Sequence, residues 1–264
     1  MMPLVALDKK LFTDGVTAVI VYPTTSPSDP ATAALLDRIR SSTTDEVRTA
    51  TGAAIYVGGA QAVATDFTTV LAGALPLFLL VVVGFGFLAL MLLFHSLVIP
   101  LTAAITSLLS FGASLGITVA VFQLGVGDAV LGVSGTGPIL PFLPIMVFAI
   151  LFGLSMDYQV FLVTRMKETW DRTGDNRDAV RLGLAGSGKV VVAAATIMSS
   201  VFLAFVTSSN GTIKMFGVAL AAAVLVDAFL VRLVLVPSVM TLLGRANWWL
   251  PRWLARVLPT IKLE

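Results

Sequence analysis

An aspartate followed directly by a tyrosine, Asp157 and Tyr158, lies within the apolar run from Ile139 to Val163. This run is long enough to cross a bilayer, whose hydrocarbon core requires about 20 apolar residues. A carboxylate at that depth costs about 2.5–3.5 kcal/mol on insertion scales, so such residues are rare and usually belong to ion or substrate pathways. Because a tyrosine hydroxyl can hydrogen-bond a carboxyl group in either protonation state, the pair indicates a proton or cation site. The alternative interpretation is a structural acid that is hydrogen-bonded to a neighbouring helix.

The residues around Asp157 predict the direction in which its side chain points. Leu154, Asp157 and Phe161 share one face of a helix by their spacing. We therefore expect the acid to face the interior of a helix bundle. Ser155 and Tyr158 lie beside that face and are candidates for lining the same pathway.

A second pair of charged residues, Asp227 and Arg232, lies in another apolar run. Five residues, about one and a half turns of an α-helix, separate them, so we expect their side chains to leave the helix on different sides. They are interpreted either as an ion pair inside the membrane or as an arginine that extends towards the cytoplasmic interface. Asp227 is also suited to be a second acid of a relay.

Composition excludes several other classes of function. The chain has no cysteine and a single histidine, His95, so neither a thiolate nor a histidine metal site is expected. Its net charge of +2 is too small to suggest nucleic-acid binding. The segment from Gly183 to Val190 is similar to a phosphate-binding P-loop, but Val190 replaces the Ser or Thr that ligates magnesium. We therefore expect no enzyme activity, no cofactor and no metal ion.

The composition of the chain and its long apolar segments indicate an integral membrane protein. Hydrophobic residues make up 57% of the chain and charged residues only 12%, against about 25% charged in soluble domains. Five segments are long and apolar enough to span a bilayer, at about 72–94, 97–122, 139–163, 190–207 and 213–243. The predicted fold is mainly α: a five-helix transmembrane bundle in residues 67–264, with a loop at 165–189 and a tail at 244–264.

Residues 1–66 differ from the bundle because they contain no spanning run. The segments Gly15–Tyr22 and Ala53–Val57 are rich in β-branched and aromatic residues and predict two strands. Asp29 and Pro30 are a favourable N-cap and first residue for a helix that extends to about Ala50. We therefore predict a small external α/β segment with the order strand, helix, strand.

The distribution of Lys and Arg predicts the orientation. The loop 165–189 has six of them and the tail from Arg245 has four, whereas the loop 123–138 has none. Since basic loops favour the cytoplasmic side, the loop 165–189 and the tail are predicted to be cytoplasmic and residues 1–66 external. An external segment needs an element to carry it across, and neither a signal peptide nor a helix precedes it. We therefore expect the chain to be the latter part of a longer protein.

Several sequence motifs, in this order along the chain, resemble those of the MMPL (mycobacterial membrane protein large) transporters of the resistance–nodulation–division superfamily. The motif around the acid, FGLSMDYQVFLVTRMKE at 152–168, is the most specific. The others are TGDN at 173–176, IKMFG at 213–217, VDAFLVRLVLVPSVM at 226–240 and NWWLPRW at 247–253. Together they extend the resemblance over essentially the whole chain.

The resemblance implies a fold and a mechanism. Members of that family have twelve spanning helices in two similar halves, each half with an external α/β domain. This chain is similar to the end of the second half, with part of the external domain followed by helices eight to twelve. In the family, an Asp-Tyr pair in helix ten meets a matching pair in helix four, and these residues carry protons. Asp157 and Tyr158 match the helix-ten positions, whereas helix seven and the helix-four partners have no counterpart here.

The function implied by this resemblance is transport. Family members export lipids, glycolipids or hydrophobic small molecules, so we expect the C-terminal part of an exporter in the bacterial inner membrane that is driven by the proton-motive force. Its partners would be a lipid or other hydrophobic substrate and the missing N-terminal half or another transporter subunit. The alternatives are a lipid-sensing or assembly module that transports nothing, and an inactive truncated fragment.

Overall fold

The computed structural model describes residues 19–26, 29–52, 54–127, 131–133 and 137–258. The chain divides into two compact units, Met1–Val70 and Leu71–Glu264. Its described elements are almost all helical.

The first unit contains the predicted helix. The helix α1, Pro30–Arg38, begins where the sequence predicted, because the Asp29 carboxylate accepts a hydrogen bond of 2.8 Å from the amide of Ala31. It continues through a π-helical segment, Ile39–Thr43, into α2, Thr44–Thr51, so the predicted end near Ala50 is confirmed.

A bidentate ion pair holds this helix to the beginning of the next one. The Arg40 guanidinium donates to both carboxylate oxygens of Asp66, one of them at 2.8 Å. The hydrogen bond with Asp66 raises the pKa of Arg40, since it favours the charged form of the guanidinium.

The two predicted strands are wrong where the structure describes them. Of the segment Gly15–Tyr22, residues 19–22 are irregular and the others lie outside the described residues. Of Ala53–Val57, residues 54–57 are irregular, and Ala53 lies outside the described residues. Val, Ile and Tyr favour strands through packing against a neighbouring strand rather than through an intrinsic backbone preference. The described residues supply no such neighbour, so composition alone does not produce a sheet.

Five helices long and apolar enough to cross a membrane are present in the described residues, as predicted. They are α3, Ala60–Phe94; α4, Val98–Phe122; α5, Leu143–Thr173; α6, Asn176–Val206; and a last run that begins with α7, Gly211–Leu225. The last run continues through a π-helical segment, Val226–Leu235, into α8, Val236–Leu243. A 3₁₀ turn, Gly244–Trp248, and a short helix α9, Arg252–Val257, follow it.

The helices of the first, third and fourth spans have bounds that differ from the predicted spans, and α3 begins at Ala60 instead of at about residue 72. The helix α5 starts at Leu143 instead of Ile139, because Pro138 and Pro141 keep the preceding residues out of the helix. At their other ends α5 and α6 extend through most of the loop 165–189, leaving only Gly174 and Asp175 between them. Asp175 caps α6 by accepting hydrogen bonds from two backbone amides.

The core of the second unit lies between α4, α5, α6 and the last membrane run, and α3 packs against its edge. The ring of Phe148 on α5 is 5.0 Å from Phe111 on α4 and 6.1 Å from Phe78 on α3, both edge to face. A side chain at Gly217 would clash with the backbone of α6, since its Cβ would lie 2.9 Å from the amide nitrogen of Val206. Small residues therefore permit the close helix packing that is typical of membrane bundles.

Candidate functional site

Asp157 lies on the outside of the five-helix bundle, which corrects the prediction that it faces the interior. Asp157 is exposed, and Phe161, one turn later, is 38% exposed. The face of α5 that the other helices cover contains Ser155 and Gln159 instead, which are 1% and 2% exposed. The spacing correctly grouped Asp157 with Phe161 on one face, but it could not show which face the other helices cover.

A cluster of buried polar residues lies behind that segment of α5. We call it the polar cluster, and each of its members is at most 4% exposed. It combines serines of α4, residues of α5 and the charged pair of the π-helical segment: Ser107, Ser110, Ser155, Gln159, Asp227 and Arg232.

Asp227 and Arg232 form an ion pair in this cluster, with Arg232 Nε 2.8 Å from Asp227 Oδ2. The expectation that their side chains leave on different sides is wrong, because the segment Val226–Leu235 is a π-helix. In an α-helix five residues turn through about 500°, so the two side chains would diverge. A π-helix pairs residue i with residue i+5, and this repeat brings the carboxylate and the guanidinium together.

The remaining hydrogen-bonding groups of the ion pair are also satisfied. Arg232 donates from Nη1 to Gln159 Oε1 at 3.1 Å and from Nη2 to the carbonyl oxygen and hydroxyl of Ser155. Asp227 Oδ1 accepts from the hydroxyls of Ser110 at 3.1 Å and of Ser155 at 3.2 Å. A buried ion pair is maintained only with such additional hydrogen bonds, because they offset the cost of removing both charges from water.

Tyr158 connects the exposed acid to the buried cluster. Its ring centroid is 5.8 Å from Arg232 Cζ, within the range of a cation–π contact. Its neighbour Asp157 is exposed, whereas Ser155 and Gln159 on the same helix bind Arg232 directly. One guanidinium therefore contacts three residues that flank Asp157 in sequence.

The sequence analysis identified Asp157, Tyr158, Ser155, Asp227 and Arg232. It missed three members of the polar cluster, Gln159, Ser107 and Ser110. Gln159 was the residue with a visible signal, since it is a polar side chain in the same apolar run. The two serines of α4 had no such signal, because serines are common in spanning helices.

Among the described residues, no group of three or more His, Cys, Asp or Glu side chains could hold a metal ion.

Comparison with known proteins places these residues in a family. The model of the MMPL family matches residues 9–260. The membrane protein YdfJ of Bacillus subtilis is 43% identical over 246 residues, which cover 93% of this chain and 33% of that protein. The heme uptake protein MmpL11 of Mycobacterium tuberculosis is 39% identical over 236 residues, 89% of this chain and 24% of that protein.

A third relative is named for a lipid. The trehalose monomycolate exporter MmpL3 of Mycolicibacterium smegmatis is 37% identical over 206 residues, which cover 78% of this chain and 20% of that protein. This chain therefore spans a third or less of the length of each of these relatives.

Proposed function

The chain belongs to the MMPL family, and on that premise we propose that it is the C-terminal part of a proton-driven exporter of lipids or other hydrophobic molecules. With five membrane-length helices, it is a multi-pass protein of the bacterial inner membrane. In this proposal Asp157 and Tyr158 form the proton relay, and the polar cluster holds their helix in place.

The exposure of Asp157 is the observation that carries the proposal. Asp157 projects from a helix of membrane length onto a surface that the described residues do not cover. A carboxylate in contact with lipid at that depth would cost about 2.5–3.5 kcal/mol. The cost is avoided if another helix covers this face and supplies a polar partner. Relatives that are roughly three to four times as long as this chain contain enough further sequence to do so.

Tyr158 and Arg232 would transmit a change at Asp157 into the bundle. Gain or loss of a proton at Asp157 changes the charge beside Tyr158, whose ring contacts the Arg232 guanidinium. That guanidinium binds both α5 and the last membrane run, so a shift at the relay can move one helix against another. The membrane potential contributes about 2.3 kcal/mol per charge per 100 mV to such a cycle.

The substrate class follows from the relatives rather than from a pocket. Their names refer to trehalose monomycolate and to heme, which are both large molecules with extensive apolar surface. We therefore propose a lipid or another hydrophobic cargo, which is bound with the help of the part of the transporter that this chain does not contain.

Gradient-driven export by the natural transporter in membrane vesicles tests the relay. Asp157→Asn is expected to abolish export of a fluorescent lipid under an imposed proton gradient, because an amide cannot exchange a proton. The amount of protein in the membrane should not change. Asp178→Asn is the matched control, since that carboxylate is half-exposed and 3.8 Å from Arg181 in the loop 165–189, and it should leave export unchanged.

Two results would contradict the proposal in different ways. Normal export by the Asp157→Asn transporter would exclude Asp157 as the relay. Export by the unaltered transporter that continues after a protonophore collapses the gradient would instead exclude the proton-motive force as its energy source.

A further inference from the structure

The C-terminal tail, residues 244–258, combines exposed tryptophans with arginines at one end of the bundle. Trp249 is 54% exposed and Trp253 is 68% exposed. Arg245, Arg252 and Arg256 are exposed as well. No acidic residue occurs between Asp227 and Glu264, so the sequence provides no local carboxylate to neutralise these arginines.

A buried turn fixes the position from which the tail leaves the bundle. Asn247 is 1% exposed, and its side-chain amide donates to the carbonyl oxygens of Met240 at 2.6 Å and Gly244 at 2.7 Å. Its own carbonyl oxygen accepts a hydrogen bond of 2.5 Å from the Ser96 hydroxyl. The turn is therefore attached to the connection between α3 and α4.

Trp248 attaches the same turn to α5 and α6. Its ring stacks on Trp170 with centroids 5.5 Å apart and planes at 10°. Its Nε1 donates to Asn176 Oδ1 at 3.0 Å, and Lys167 Nζ lies 5.5 Å from the ring centroid. The three tail tryptophans and Trp170, which are all the tryptophans of the chain, are thus located at this end of the bundle.

The level of the tail matches the ends of two spanning helices. Leu97, which lies between the spans Ala60–Phe94 and Val98–Phe122, donates from its amide to the carbonyl oxygen of Trp249 at 3.2 Å. The tail therefore begins at the connection between two spanning helices, where we expect the lipid headgroups.

We propose that the tail is an interfacial anchor whose arginines bind the headgroups of anionic phospholipids. Tryptophan prefers the membrane interface, where its ring is apolar and its N–H remains hydrated. Arg252 and Arg256 are four residues apart on α9, so they lie on one side of the helix and can share one phosphate group. An anionic headgroup supplies the negative charge that the tail sequence lacks.

Quenching of tryptophan fluorescence by brominated lipids tests this assignment on the whole chain in phosphatidylcholine vesicles. Brominated phosphatidylglycerol should quench more strongly than the same minor fraction of brominated phosphatidylcholine. Most of this difference should disappear in Trp253→Phe. The tryptophans of the double variant Arg252→Gln and Arg256→Gln should still be quenched by brominated lipid. The preference of the tail for phosphatidylglycerol over phosphatidylcholine should fall by roughly fivefold for each arginine removed.

The matched control is Arg172→Gln with Arg177→Gln, which removes the same charge from exposed positions at the turn between α5 and α6. Arg177 follows Asn176, whose side chain binds both Trp248 and Asn247, so the control removes arginines at the same end of the bundle that are not on α9. This control should keep the preference. High salt should abolish the preference in the unaltered chain, because it screens exposed charges, and this measurement does not depend on folding of a variant.

Three results would overturn the proposal. Equal quenching by the two brominated lipids would exclude anionic selectivity. Absence of quenching by either would show that Trp253 docks on protein instead of lipid. A preference that persists in the Arg252→Gln and Arg256→Gln variant would assign the selectivity to other residues.

Discussion

Asp157 and Asp227 both lie in helices of membrane length, yet their surroundings within this chain are opposite. Asp227 is 3% exposed, pairs with Arg232 and accepts two further hydrogen bonds from serines. Asp157 is exposed on the outer face of α5. The first carboxylate is part of a hydrogen-bonded network within the chain, whereas the described residues leave the second uncovered. Burial therefore separates an acid whose hydrogen bonds are satisfied within the bundle from one that lies on its outer face.

Removal of Arg232 should have the largest effect on stability. Arg232→Ala leaves the Asp227 carboxylate buried without a cation, so the free energy of unfolding should fall by about 3–5 kcal/mol. Unfolding of the chain in mixed micelles by titration with dodecyl sulfate, followed by circular dichroism, measures this loss. Arg177→Ala, which removes an exposed arginine, is the control and should change stability by less than about 0.5 kcal/mol. An equally small effect of Arg232→Ala would mean that Asp227 does not depend on the ion pair.

Removal of both charges should be less harmful than removal of one. In Asp227→Leu with Arg232→Met no charge remains unpaired, so the loss should be at least about 1 kcal/mol smaller than that of Arg232→Ala. The same titration on the single variants Asp227→Leu and Arg232→Met completes a double-mutant cycle, which gives the coupling energy of the pair. If the losses of unfolding free energy in the two single variants simply add up in the double variant, Asp227 and Arg232 do not interact as an ion pair.

A single hydrogen bond to Asp227 should contribute a smaller amount. Ser110→Ala removes one donor to the carboxylate while Ser155 continues to donate, so the expected loss is about 1.5 kcal/mol, the lower end for bonds to charged groups. Ser200→Ala is the matched control, because that exposed hydroxyl donates only to a carbonyl of its own helix. Equal losses for the two serines would show that the bond from Ser110 to Asp227 does not stabilise the protein.

Asp157 should have the smallest effect in this series. Asp157→Asn should change the free energy of unfolding of the chain by less than about 0.5 kcal/mol, since its side chain is exposed. The same substitution is expected to abolish export by the natural transporter. A loss comparable to that of Arg232→Ala would contradict the distinction between the two acids, because it would mean that Asp157 is already satisfied within this chain.

Much of the membrane architecture could be predicted from the sequence, because a bilayer imposes a length and an apolar composition on each spanning helix. The five spans follow from these rules, and the helix start at Asp29 follows from the preference of aspartate for N-cap positions. The strands of the N-terminal segment could not be predicted in this way. Strand formation requires a pairing partner, and the described residues show none for the segments that composition selected.

The sequence by itself determined that a carboxylate and a tyrosine lie within a membrane span and that Asp157 shares a helical face with Phe161. These properties depend only on residue type and helical period. Only the tertiary structure decided which face the chain covers, since this depends on contacts with α4 and the last membrane run. It also decided that Asp227 meets Arg232. Their contact requires an i to i+5 repeat, and the residues of Val226–Leu235 do not reveal that repeat until the segment is seen as a π-helix.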